Sequence, residues 1–68
     1  MSIYKEIADA LLIVESVPNQ QKREEALLQL SYSLMALSFS LLPNRSPVPQ
    51  QKIAKERLAL ALEIVRAK

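Results

Sequence analysis

The chain has no cysteine, no histidine and no glycine. Without cysteine and histidine there is no disulfide framework, and the common zinc-ligand sets are missing. Nucleophilic catalysis loses its usual base as well, because only a carboxylate or a lysine would remain to activate a serine. Without glycine there is no phosphate-cradling loop, since such loops need backbone amides to approach the anion closely. Charge of one sign is also lacking: nine basic and seven acidic residues leave a net charge of +2, too little to predict nucleic-acid binding. The first fifteen residues include Lys5, Glu6, Asp9 and Glu15, which a secretory apolar segment would not tolerate, so a cytoplasmic location is expected.

Length sets a further bound. A chain of 68 residues has room for one domain and buries only ~60% of the surface its unfolded form exposes. With disulfides and structural metal removed, self-association is the remaining source of stability.

The four prolines, at 18, 43, 47 and 49, divide the sequence into three segments of helical period. The expected fold is all-α: a helical hairpin plus a third helix, one domain over residues 1–68, assembling into a homo-oligomeric bundle. The helices are expected at about 2–16, 19–42 and 49–67, with Asn19 as the N-cap of the second and Pro43–Ser46 as the main loop.

Placed at ~100° per residue, the apolar arcs are wide. Helix 1 carries Ile3, Ile7, Ala10, Leu11, Val14 and Val17, widened by Tyr4, Ala8 and Leu12. Helix 2 has no charge from Ala26 to Asn44, and Gln29, Ser33, Ala36 and Ser40 line up as a thin, weakly polar strip. Ser31 and Ser38 fall inside its apolar arc, where their hydroxyls either admit a neighbouring helix or, as we favour, bond back to the preceding turn. Helix 3 has one stripe of Ala54, Leu58, Ala61, Leu62 and Val65 and a second of Ile53, Leu60 and Ile64, with Arg57 between them. Lys52, Lys55, Glu56, Glu63 and Arg66 form its solvent face, where Lys52 and Glu56 are spaced to pair.

A three-helix monomer needs one stripe per helix, so this surplus predicts a homo-oligomer, a symmetric dimer by default. The stretch from Ala26 to Leu42 only just reaches the ~17-residue lower limit for crossing a bilayer, and its glutamine, tyrosine and serines favour a bundle helix instead.

No catalytic constellation is visible: the carboxylates at 6, 9, 15, 24, 25, 56 and 63 are ordinary helix-surface charges. The chain is read as non-enzymatic, without cofactor or metal. Basic residues do gather near helix starts, Lys22 and Arg23 at the second and Arg45 and Lys52 at the third. A phosphate-bearing ligand held by Lys22, Arg23, Arg45 or Arg57, with Tyr4 stacking on a base, is one use of them. The alternative places Tyr4 in the core and leaves the cations solvated. Arg57 stands apart, because a guanidinium between two apolar stripes must reach a carboxylate, a carbonyl or a ligand.

Val17-Pro18-Asn19, followed by Ala26-Leu27, Gln29-Leu30 and Leu34-Met35, resembles the helical hairpin of a phage anti-defence family, in gap-free spacing. Members of that family are oligomeric sponges that sequester cyclic nucleotides or cyclic ADP-ribose derivatives made by the host CBASS or Thoeris immune systems. The chain departs from the family at Gln21-Lys22, where an Arg-Glu pair stands, and at Ala36, where a tryptophan stands. The resemblance implies a non-catalytic fold, oligomerisation and an anionic nucleotide-type small molecule, sequestered in the host cytoplasm. A small helical adaptor or inhibitor, acting on a protein partner through its apolar helix faces, is the alternative expectation.

Overall fold

Side-chain caps start the first two helices. Ser2 accepts a hydrogen bond from the amide of Lys5 and opens α1, Ile3–Glu15; Asn19 accepts one from the amide of Lys22 and opens α2, Gln20–Ser40. Each cap occupies an amide that the helix itself leaves unbonded. The computed structural model describes residues 2–41 and 47–67, and all regular structure among them is helical.

The third helix, α3, runs Pro47–Arg66 and so begins two positions before the expected residue 49. First-turn amides have no partner within a helix, so neither Pro47 nor Pro49 forfeits a bond there. Helix α2 ends at Ser40 with Leu41 as its C-cap; position 42, its expected end, and the expected loop 43–46 lie outside the described residues.

The pairing of α2 with α3 is the most extensive, and α1 lies against both in a slab of 40 × 21 × 14 Å. Three contacts fix the antiparallel register of α2 and α3: Ser33 to Ala54, Gln29 to Arg57, and Lys22 to Ala67. The start of α1 lies beside α3 near Gln51 and Lys55, so α1 runs parallel to α3.

The α2–α3 seam corrects one expectation. The strip of Gln29, Ser33 and Ala36, read as the weakly polar side of helix 2, is the side that packs on α3: Ser33 is fully buried, Ala36 nearly so, and Gln29 partly. The cause is side-chain size. Ala26, Ser33 and Ala36 facing Ala54 and Ala61 let two backbones come close, and bulkier neighbours such as Tyr32 and Met35 do not fit the gap. Burial of the Ser33 hydroxyl is offset by a 2.7 Å bond to the Ala54 carbonyl. Ser31 and Ser38 bond back to Leu28 and Met35, the favoured one of their two readings.

The result is a thin core. Of the ten buried apolar residues described, Ala10, Ala26, Ala36, Ala54 and Ala61 are alanine, while twelve large apolar side chains are at least 37% exposed. An alanine core supplies little transfer free energy per residue, at ~25 cal/mol per Å² of apolar area. Considerable large apolar surface is therefore left exposed among the described residues, which gives the surplus read from the sequence a location.

Candidate functional site

Of the exposed large apolar residues on α2 and α3, all but Leu34 are ordered, and the partly buried Ile64 extends the row on α3. On α2, Leu28, Tyr32, Met35 and Phe39 follow one another at intervals of four, three and four; on α3, Ile53, Arg57, Leu60 and Ile64 do the same. This is the narrow stripe of helices that pack along a shared seam. On α3 that stripe and the residues facing α1, Gln51 and Lys55, lie on opposite sides of the buried Ala54, Leu58 and Ala61. Helix α1 thus covers one face of the α2–α3 pair, and the two stripes form the other.

Over the half of this open face toward the end of α2 and the start of α3 lies a shallow groove of about 210 Å³, lined by Tyr32, Met35, Ala36, Phe39, Gln50, Ile53 and Arg57. The Arg57 guanidinium lies 5.2 Å from the Tyr32 ring centroid and donates to the Gln29 side-chain carbonyl at 2.9 Å. One half of the planar guanidinium is thereby fixed. Stacking on an aromatic face orients it, and donors remain that suit a carboxylate or phosphate. The only ion pair among the described residues is Lys5–Asp9 at 3.1 Å; Lys52–Glu56 is not formed, and no carboxylate pairs with Arg57.

The structure does not gather the sequence-predicted ligand residues into one place. Arg23 donates to the Val17 carbonyl at 2.8 Å, just past the end of α1, and the Lys22 ammonium reaches the Ala67 carbonyl just past the end of α3. Both cations thus satisfy carbonyls at helix C-termini, where the helix dipole favours positive charge. Tyr4 is half exposed on the other side of α3 from the groove, in a concavity shared with Glu6, Gln51 and Lys55. Arg45 lies outside the described residues.

Of the predicted residues that are described, Arg57 alone occupies an apolar groove built by α2 and α3, and its partners Tyr32 and Gln29 were missed. The signal that finds them is the matched four-three-four spacing on both helices, which the uniform apolarity of helix 2 conceals.

Among the described residues, no group of three or more acidic side chains converges as a metal site would, and no helix is long and apolar enough to cross a membrane. No protein-family model, curated protein or solved structure matches the chain.

Proposed function

We propose that this chain is a non-catalytic, homo-oligomeric helical binding protein that holds an anionic, nucleotide-type ligand on the open α2–α3 face, as a sponge for cyclic nucleotide or cyclic ADP-ribose signals. The observation that carries the reading is Arg57. Among the described residues it is the cation that lies over an aromatic ring, that of Tyr32, braced by Gln29 and without a carboxylate partner. A guanidinium so placed supplies charge to a phosphate, and the neighbouring Tyr32 supplies an aromatic face for a base. The hairpin resemblance supports the same ligand class and a cytoplasmic site of action. The site residues differ from those read from the sequence: Arg57 remains, joined by Tyr32, while Lys22 and Arg23 serve the helix ends.

A thermal-shift panel of cyclic dinucleotides, cyclic trinucleotides and cyclic ADP-ribose isomers tests the reading. At a ligand concentration 100 times Kd, binding to the folded state stabilises it by ~2.7 kcal/mol, an upward shift of more than ~10 °C for a chain of this size. At least one compound is expected to raise the Tm of the wild type, and Arg57→Ala is expected to abolish the shift. If none of the panel shifts the wild type and a protein co-purifies stoichiometrically, the sponge is replaced by the adaptor alternative.

A further inference from the structure

The open face is nearly symmetric about its own centre, and we infer that a second copy of the chain covers it, face to face about a two-fold axis that passes beside Arg57. The register of α2 against α3, set by Ser33–Ala54 and Gln29–Arg57, places Arg57 and Tyr32 midway along the combined stripes. Leu28 and Leu60 lie toward one end and Met35 and Ile53 toward the other. In an isologous dimer the same patch serves both copies, residue i of one meeting j of the other as j meets i, and a face with its charge at the middle can then meet itself apolar on apolar at both ends.

The area agrees with a second copy as the occupant. Leu28, Tyr32, Met35, Phe39, Ile53 and Leu60 are each 37–50% exposed. At ~200 Å² for a fully exposed large side chain, they leave on the order of 500 Å² of apolar surface per copy. Two copies together bury on the order of 1,000 Å² through these side chains alone, the threshold a specific interface has to clear. The occupant is helical, because a strict four-three-four stripe is the seam one helix presents to another. The groove argues likewise: about 210 Å³ in one copy is smaller than the ~300–1,000 Å³ of ordinary ligand sites, and a stacked second face encloses it.

This pairing brings two guanidinium groups together at the centre of an apolar interface that contains no carboxylate pairing with either. A lone polar residue in such a seam fixes register at a cost in affinity. Arg57 is therefore a specificity element of the dimer as well as the charge of the proposed ligand site. The inference about pairing stands on the face and its register and does not rest on the anion.

Sedimentation equilibrium of four full-length proteins tests it, with circular dichroism confirming helicity in each. The wild type is expected to associate in the micromolar range, Leu28→Glu to weaken association about a hundredfold or more, and Leu12→Glu, on the exposed side of α1, to leave it unchanged. Arg57→Met, which removes the paired charges and keeps the apolar stem, is expected to tighten association about tenfold. A wild type that stays monomeric at several hundred micromolar overturns the inference, as does dissociation by Leu12→Glu but not Leu28→Glu. Weaker association of Arg57→Met overturns the placement of Arg57 at the axis. An intact dimer with no ligand shift in the panel above removes the ligand reading and leaves the pairing in place.

Discussion

Ser33→Leu separates two views of helix α2 that differ by the sign of one face. If the Gln29, Ser33 and Ala36 strip faced solvent, leucine at 33 would change stability by no more than ~0.5 kcal/mol. In the structure Ser33 is fully buried, and its hydroxyl donates to the Ala54 carbonyl at 2.7 Å. Leucine forfeits that bond, worth ~0.5–1.5 kcal/mol, and drives three carbons into a seam fitted to a hydroxyl, at ~1–3 kcal/mol. The sum, ~1.5–4.5 kcal/mol, lowers Tm by roughly 6–36 °C at ~4–8 °C per kcal/mol for a chain of this size. Ser33→Ala is the control: the Ala54 carbonyl keeps its helical partner and alanine favours the helix, so the net cost is below ~1 kcal/mol. Thermal melts followed by circular dichroism at one fixed protein concentration read both. A Ser33→Leu protein that melts with the wild type would refute the α2–α3 seam described here.

Three further outcomes follow from the same packing. Val14 is fully buried where α1 meets the core, and Val14→Ala should cost about 2 kcal/mol in urea unfolding, from two lost methyl groups and the cavity they leave. Asn19→Ala removes the cap on the Lys22 amide and should cost about 1 kcal/mol, whereas Asn19→Asp should restore most of it. Arg23→Met deletes the bond to the Val17 carbonyl and should speed amide exchange in α1 with little effect on α3; equal acceleration in both would show that Arg23 does not hold the α1–α2 connection.

The sequence carried the elements but not their facing. Proline positions and the Ser2 and Asn19 caps bounded the helices to within two residues at every described end, because those signals are local. On α3 both stripes were visible but not which of them faces inward; the structure puts Ala54, Leu58 and Ala61 in the core. The facing of helix 2 was hidden for a physical reason. Hydrophobicity ranks leucine, methionine and phenylalanine above serine and alanine, but a close helix pair selects for small volume before apolarity. Ser33 becomes acceptable in the core through one hydrogen bond to another helix, which no periodicity reveals. The site was obscured by the same inversion. Once Leu28, Tyr32, Met35 and Phe39 are seen to lie on the open face, Tyr32 and Arg57 fall together, and Lys22 and Arg23 become partners of helix C-termini.

If the open α2–α3 face is the working surface, whatever covers it, the two tyrosines provide an internal comparison. Tyr32 lies on that face and Tyr4 lies away from it, both exposed, and Met35 beside Tyr32 is a second oxidisable reporter. Hydroxyl-radical footprinting read by mass spectrometry measures all three in one sample as protein concentration is raised from the nanomolar to the hundred-micromolar range, with and without a compound that raises Tm. Protection of Tyr32 and Met35 with Tyr4 unchanged is the predicted result. Constant oxidation of Tyr32 and Met35 across the range, with protection at Tyr4 and Leu12 instead, would contradict the account.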